Sequence, residues 1–289
     1  MPLVTTRQVL ADATAGRTGV GAFNVITLEY AEAIVDGAAV AGQPVILQLS
    51  ENATRFHRGN PRPLAAAMRE LADAAAVDVA LHLDHVEDEE LLHASAAAGF
   101  SSVMFDAGRL PYAENVASTL RAAEWAHGEG LAIEAELGYV GGKDTQVTSA
   151  HAAGVRTDPE QAAAFVAATG VDALAVAVGS SHAMSSRTAA LDVYLIRRLA
   201  AAVGVPLVLH GSSGVAEEDL AAAIGAGMTK INVGTILSIA YTAGVRGVLD
   251  QDAELSDPRK YLAPARDNIS AQVQDFLRVI SSGASIPEA

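Results

Sequence analysis

Short apolar runs alternate with helical patterns about eight times along this 289-residue chain, and this repeat is what most constrains its fold. Each run is apolar at successive positions instead of at every second one, which is typical of strands buried on both faces. The Ala-rich stretches between the runs carry helix signals. In 158–170, Asp158 is placed to cap a helix, Pro159 takes its first position and Gly170 follows its end. The runs lie at 19–25, 44–50, 79–84, 101–107, 132–138, 173–179, 206–211 and 230–234.

Eight β–α units in a chain of this length predict an α/β fold of the TIM (β/α)8 barrel type. A doubly wound open sheet is the alternative, but the first run, GVGAFNV, does not form a G-x-G-x-x-G turn leading into a helix. Because no linker or change in composition divides the chain, residues 1–289 are expected to form one domain. We expect a Gly-rich lid at about 139–157 and a C-terminal helical extension at about 257–282, with an extra loop over 252–268 before the final helix.

Composition and charge exclude several classes of protein. The net charge of −15 argues against nucleic-acid binding, which needs a basic surface. The absence of Cys excludes disulfides and Cys-ligated zinc or iron–sulfur sites. No apolar stretch is long enough to span a bilayer, and the N-terminal segment does not have the pattern of a signal peptide. The expectation is a cytoplasmic protein that binds neither nucleic acid nor membrane.

Polar residues stand at the carboxyl ends of the predicted strands, where barrel enzymes place their reactive groups. This regularity exceeds what scattered surface polarity would give, and it predicts one shared site at that rim. The residues, in chain order, are Asn24, Ser50, Asp84, His85, Asp106, Glu136, His182, His210 and Asn232.

Three of these strand ends carry histidine, at His85, His182 and His210. They could be unrelated residues that each end a strand, but their equivalent positions favour a shared metal site. Three imidazoles leave the remaining position of a zinc ion open for substrate, and such an ion can polarise a carbonyl group. His82, two residues before Asp84, is expected inside the barrel or supporting a ligand.

Carboxylates accompany the histidines. Asp84 either orients a ligand or transfers a proton at the reacting centre, and the second role is favoured. Asp106 and Glu136 are either structural partners or ligands of an alternative cation site.

The loops after the seventh and eighth runs, 211–214 and 232–235, are rich in small residues. They are either ordinary turns or a phosphate site, because TIM barrels hold phosphate at this position with backbone N–H groups and hydroxyls. With three Lys in the chain (Lys143, Lys230 and Lys260), a phosphate ligand would depend largely on backbone groups and a metal.

Several sequence blocks taken together resemble the class II, metal-dependent ketose-bisphosphate aldolases, in order along nearly the whole chain. They are GAFNV, LHLDH, EAELG, the Gly-Ser-Ser-His segment at 179–182, LVLHGSSGV, TKINVGT and DPRKYLAPAR. The length resembles the branch with tagatose-bisphosphate aldolases and the shorter fructose-bisphosphate aldolases. The resemblance implies reversible cleavage of a ketose 1,6-bisphosphate, of fructose or tagatose type, to dihydroxyacetone phosphate and an aldehyde phosphate.

The resemblance also implies roles by matched position. His85, His182 and His210 would be the zinc ligands, and Asp84 the acid/base group. Asp106 and Glu136 would match the positions of a second divalent cation or of alternative zinc binding, and a monovalent cation, Na⁺ or K⁺, is implied beside the phosphate. The implied substrate contacts are Asn24, Ser50, Ala183, Gly211, Ser212, Ser213, Asn232, Val233, Gly234, Thr235 and, at the distal phosphate, Arg259.

The chain departs from the family pattern at three positions. Asp144 stands in the lid where the family usually offers Glu for the carbon-bound proton, Ala183 stands where Gly is usual, and Gly234 stands where the longer branch has Asp. These changes leave open a paralogue acting on another phosphorylated ketose or keto acid.

Two further alternatives stay open. A Schiff-base aldolase would need Lys at a strand end, whereas Lys230 begins the eighth run and Lys143 lies in the lid. A catalytically silent barrel that binds sugar phosphates is the other alternative. Barrels of this type commonly self-associate, so a homodimer or homotetramer is expected.

Overall fold

The computed structural model describes residues 2–138, 156–181 and 188–281. In this part of the chain, eight parallel strands close into a barrel in sequence order. The strands are β1 Val20–Asn24, β2 Val45–Ser50, β3 Val79–Val86, β4 Ser102–Phe105, β5 Ala132–Leu137, β6 Ala173–Val176, β7 Leu207–Leu209 and β8 Met228–Val233. The helices are α1 Thr6–Gly16, α2 Leu28–Ala41, α3 Glu51–Phe56, α4 Arg62–Ala74, α5 Glu89–Ala98, α6 Tyr112–Gly128, α7 Pro159–Thr169, α8 Val193–Ala202, α9 Glu217–Gly225, α10 Thr235–Leu249 and α11 Pro258–Ser281.

The prediction of a TIM barrel is confirmed. Every predicted strand run coincides with an observed strand to within three residues at either end. The first and last strands pair with each other, Val20 with Lys230 and Ala22 with Asn232, and this closure excludes the open sheet. Asp158 caps α7 by accepting from the backbone N–H of Gln161, as its sequence predicts.

Successive strand residues face opposite sides of the barrel wall, and the two sides differ in composition. Phe23, Leu47, Leu81 and Ile231 belong to the large apolar core shared with the helices. The alternate positions form a second, smaller apolar cluster near the amino ends of the strands. Farther along the same alternating series the residues become polar, as in Ile46–Gln48–Ser50 and Ala80–His82–Asp84. This gradient concentrates polar groups at the carboxyl rim.

Helix α1 contributes to this inner cluster at the amino ends of the strands. Val9, Leu10 and Ala13 of α1 are buried with Ile46 and Ala80. Thr5 caps the helix by accepting from the N–H of Gln8. This packing covers part of the amino end of the barrel, beside a second cavity of about 430 Å³ that Thr6, Leu10 and Ala173 help to line.

The predicted loop over 252–268 is wrong in its second half, because α11 already begins at Pro258. Proline suits a first helical turn, where its missing N–H leaves no bond unmade. One face of α11, which includes Ala265, Ile269 and Val273, is buried. This packing stabilises the helix across Pro264, an interior proline that by itself disfavours helix. Within the described ranges, no helix is both long and apolar enough to cross a membrane.

Candidate active site

A cavity of about 750 Å³ opens at the carboxyl rim of the barrel. It gathers most of the residues that the strand-end pattern and the loop positions predict. Those lining it are Asn24, Ser50, Asp84, His85, Gly211, Ser212, Ser213, Asn232, Val233, Gly234 and Thr235. The rim therefore brings into one space residues that are separated by more than 200 positions in the sequence.

His85 occupies an irregular position on its strand. Strand β3 continues two residues past Asp84, and its pairing with β4 shifts register between Leu83 and Val86. His85 lies within this bulge with φ +50°, a conformation that costs free energy for a residue other than Gly. Since strained backbone persists where the surroundings enforce it and clusters at functional sites, the bulge marks His85 as functional.

The imidazole rings of His85 and His210 face each other. Nε2 of His85 lies 3.0 Å from Nδ1 of His210, and the second nitrogen of each ring lies near a carboxylate. Nδ1 of His85 is 2.9 Å from Asp106, and Nε2 of His210 is 3.1 Å from Glu134. A carboxylate accepts a hydrogen bond and so favours the N–H on the ring nitrogen beside it. With both N–H groups placed beside these carboxylates, the two facing nitrogens carry lone pairs. Nε2 of His210 also lies 3.1 Å from the amide nitrogen of Asn232, a donor that favours the opposite tautomer of His210.

In these tautomers the two lone pairs repel each other unless a cation lies between them, whereas with an N–H on one of the two nitrogens the same 3.0 Å distance is a hydrogen bond. Zinc–nitrogen bonds of about 2.0–2.1 Å at a tetrahedral angle hold two nitrogens about 3.3 Å apart, close to the observed spacing. Asp84, which is buried, completes a group in which one donor atom each from Asp84, His85 and His210 lies within 4.8 Å of the others. The donor set therefore fits a zinc ion.

Three predicted site residues lie outside the described residues: His182, Ala183 and Asp144. The two other predicted carboxylates are close to the histidines. Asp106 contacts His85 and also accepts from the N–H of Gly108, and Glu136 lies 3.6 Å from Nδ1 of His210. The contacts of Asp106 place its carboxylate beside Nδ1 of His85, on the far side of the ring from His210.

The loops after β7 and β8 are tied to each other beside the cavity. The Ser212 hydroxyl donates to the carbonyl of Asn232 at 2.5 Å, and the Ser213 hydroxyl accepts from the N–H of Ile236 at 3.3 Å. Thr235 begins α10 and lines the cavity. A helix N-terminus carries a partial positive charge that favours anions, so the start of α10 is the candidate position for a phosphate at this rim.

Two glycines allow close approach at this rim. Gly211 has φ +69°, and a Cβ atom there would lie 2.5 Å from the carbonyl carbon of Ser181. At Gly234 a Cβ atom would lie 2.8 Å from Nδ2 of Asn24. The Asn24 amide oxygen accepts from Gln48, so its side chain is held in place. Larger residues at either position would displace groups that line the cavity.

The structure adds a charged rim that sequence reasoning missed. Glu51 and Arg55 of α3 line the cavity and form an ion pair, and Glu51 also accepts from the N–H groups of Glu87 and Asp88. Arg109 lines the cavity as well and lies 3.7 Å from Glu87. A signal was available for part of this rim, because Glu51 directly follows Ser50 and Arg55 lies one helical turn later.

Arg259, predicted at the distal phosphate, is not among the described residues lining the cavity. It lies at the start of α11, where its guanidinium pairs with Asp257 at 2.9 Å and its side chain is 88% exposed. Within the described chain the arginines at the cavity are Arg55 and Arg109.

His82 and Lys230 lie inside the barrel wall, as was expected for His82. Burial, together with the nearby Lys230 ammonium, lowers the pKa of His82 well below its usual value. Lys230 is fully buried and its ammonium pairs with Glu134 at 2.7 Å. It is not among the described lining residues, which argues against a Schiff base at this lysine.

Several known proteins are similar to this chain in sequence or in fold over nearly its whole length. Residues 4–284 match the family model described as "Fructose-bisphosphate aldolase class-II". A fructose-bisphosphate aldolase of Staphylococcus aureus is 39% identical over 281 residues, covering 96% of this chain and 97% of the relative. One from Geobacillus stearothermophilus is 38% identical over 283 residues, 98% of each chain. Among solved structures, the YdjI aldolase of Escherichia coli superposes with a TM-score of 0.83 at 30% identity, covering 98% of both chains.

Proposed function

From its membership of the class II fructose-bisphosphate aldolase family, we propose that this chain works with a zinc ion held by His85, His182 and His210. The chain is an aldolase that reversibly cleaves a ketose bisphosphate. The observation that supports the zinc ion most strongly is the 3.0 Å approach of two imidazole nitrogens whose partner nitrogens each lie beside a carboxylate. When bound, zinc supplies Lewis-acid polarisation of the ketone oxygen and compensates the negative charge that develops as the carbon–carbon bond breaks.

Asp84 is the proposed acid/base group for the aldehyde half of the substrate. In cleavage its carboxylate takes the proton of the hydroxyl that becomes the aldehyde oxygen, while the electron pair of the broken carbon–carbon bond stays with the ketone half. Asp84 lines the cavity and is buried, and its Oδ1 lies 3.4 Å from Nδ2 of Asn232, which limits its movement. In the aldol direction it returns the proton.

Asp144 is proposed to return a proton to the carbon freed by cleavage and to remove it in the reverse direction. Asp106 and Glu136 are proposed to serve a second divalent cation or alternative zinc binding, and their contacts with His85 and His210 support a place at the metal. A monovalent cation beside the phosphate, near Ala183, belongs to the same proposal.

The two phosphates of the substrate are assigned to opposite parts of the cavity. The dihydroxyacetone phosphate end is placed at 211–213 and 232–235, supported by the Ser213 hydroxyl, whose proton is not used in its contact with Ile236, and by the N-terminus of α10. Asn24 and Ser50 contact the substrate between the two ends. For the distal phosphate, Arg55 and Arg109 are the cationic groups at the cavity in the described chain, and Arg259 remains the residue predicted by resemblance.

Fructose 1,6-bisphosphate is the proposed substrate, in keeping with the names of the relatives at 39% and 38% identity. Cleavage of fructose and tagatose 1,6-bisphosphates is measured side by side, with EDTA and with zinc restored. Preferred cleavage of the fructose sugar that EDTA abolishes and zinc restores is expected. If zinc-loaded protein cleaves neither sugar, the substrate is another phosphorylated ketose or keto acid and this assignment is wrong.

A cytoplasmic homodimer or homotetramer without nucleic-acid or membrane partners is proposed. Sugar bisphosphates are highly charged and do not diffuse through bilayers, and the net charge of −15 disfavours polyanions. Light scattering coupled to size exclusion would give the mass, and a monomer at micromolar concentration would refute the proposed assembly.

A further inference from the structure

A charged pair lies within the barrel wall below the cavity. The Lys230 side chain, on β8, is fully buried, and its Nζ atom lies 2.7 Å from Oε2 of Glu134 on β5. Glu134 is also buried. Neither residue is among the described residues that line the cavity, so neither is placed to touch substrate.

Fold stability does not explain this pair. Interior layers of TIM barrels are usually filled by branched aliphatic side chains, and the layer below in this barrel is aliphatic, with Ile46 and Ala80. Replacing a buried ion pair by apolar residues of similar volume is often neutral or stabilising, because desolvation offsets the attraction of the charges. A functional role is therefore the better explanation for retaining two charges here.

Glu134 connects the lysine to the proposed metal site. Its Oε2 atom faces Lys230, and its Oε1 atom lies 3.1 Å from Nε2 of His210. With the N–H of His210 on Nε2, the lone pair is on Nδ1, the atom that faces His85 at 3.0 Å. The Glu134 carboxylate thus contacts both the Lys230 ammonium and the Nε2 atom of His210, and its position influences which tautomer His210 adopts.

We propose that Lys230 and Glu134 are positioning residues for zinc, with Lys230 acting through Glu134 to hold His210 in the tautomer that presents Nδ1 to the ion. This inference rests on the proposed zinc site. Partners of this kind, which hydrogen-bond a ligating histidine, commonly contribute about 10–100-fold to metal affinity.

The test measures the zinc dissociation constant by competition with a chromophoric chelator, and the visible absorption spectrum of the cobalt-loaded protein. Glu134→Gln and Lys230→Met should each weaken zinc binding by about 10–100-fold and change the cobalt spectrum. Because Lys230 acts through Glu134, the double variant should bind zinc about as well as Glu134→Gln alone. Thr119→Val is the matched control: Thr119 is fully buried and donates to Asn115 within α6, away from the metal site, so zinc affinity should not change.

A structural pair would behave differently. If the variants lower the melting temperature of the zinc-free protein but keep wild-type zinc affinity and cobalt spectrum, the inference is overturned. Should Lys230→Met fail to fold, Glu134→Gln decides, since it preserves the volume of the side chain and removes its charge. Wild-type protein that binds no zinc, or binding that survives His210→Ala, would overturn the zinc proposal and this inference together. Loss of binding in His210→Ala with normal binding in the Glu134 variants would overturn this inference alone.

Discussion

Nε2 of His85 and Nδ1 of His210 approach to 3.0 Å although each ring already has its second nitrogen beside a carboxylate. The rings are nearly perpendicular, with an interplanar angle of 88°. This relationship concentrates two lone pairs at one point of the rim, where a zinc ion would replace repulsion by two bonds. It is also the relationship that single substitutions can test.

His210→Ala should lose zinc and aldol cleavage together, because it removes one of the two facing nitrogens. Zinc content by mass spectrometry of metals and cleavage of fructose 1,6-bisphosphate are measured on the same preparation. His210 is fully buried beside Glu134 and Asn232, so circular dichroism and thermal unfolding check that the variant is folded. A variant that keeps both zinc and activity would remove His210 from the site.

Asp84→Asn should keep zinc and lose cleavage by roughly 10²–10⁴-fold, the usual contribution of a positioned acid or base. The substitution preserves the size of the side chain and its contact with Asn232, so substrate should still bind. Single-turnover cleavage rates and zinc content separate the two roles. Loss of zinc in this variant would make Asp84 a ligand instead of a proton-transfer group.

The sequence was sufficient for the barrel and for much of the rim because both depend on local pattern. A strand buried on both faces is apolar throughout, and polar residues stand out where such a run ends, as at Ser50 and Asn232. Residues two positions earlier also point into the barrel. Gln48, Glu134 and Lys230 could have been found from this two-residue period.

Other features depend on tertiary contacts that a linear pattern does not contain. The segment 252–268 was expected to be a loop, but α11 begins at Pro258 and buries the face that carries Ala265 and Ile269. Arg259 was placed by resemblance to the family, and its pairing with Asp257 depends on how that helix begins. Arg109 follows β4 in a loop, and no local signal distinguishes it from an ordinary surface arginine.

Gly211→Ala should impair substrate binding more than zinc binding. The left-handed φ of +69° disfavours any side chain, and the added methyl would force the loop away from Ser181. The serines that follow would move with it. An increase in KM of at least tenfold, with zinc content unchanged, is expected in steady-state assays. A wild-type KM would show that this loop does not hold the phosphate.

Arg55→Ala and Arg109→Ala should raise the KM for fructose 1,6-bisphosphate if they contact the distal phosphate. A hydrogen bond to a charged group contributes about 1.5–3 kcal/mol, so each loss should cost roughly 10–100-fold. Fructose 1-phosphate lacks that phosphate and should be cleaved alike by wild type and variants. Arg259→Ala is the comparison: if it alone raises KM, the distal phosphate is held at Arg259 and not by the rim arginines.

His82 should make the zinc-free protein sensitive to acid. Its pKa in the folded state lies well below the ordinary 6.5, chiefly because of burial. Above pH 6.5 the ring is neutral in both states, so it contributes no pH dependence. As pH falls below 6.5, His82 becomes protonated in the unfolded chain and stays neutral in the folded chain. The free energy of unfolding then decreases by up to about 1.4 kcal/mol per pH unit because of this residue. His82→Gln removes that term, so urea unfolding of chelator-treated protein between pH 7.5 and 5 should show a smaller loss of stability than in wild type. Equal losses in the two proteins would mean that His82 accepts its proton inside the barrel.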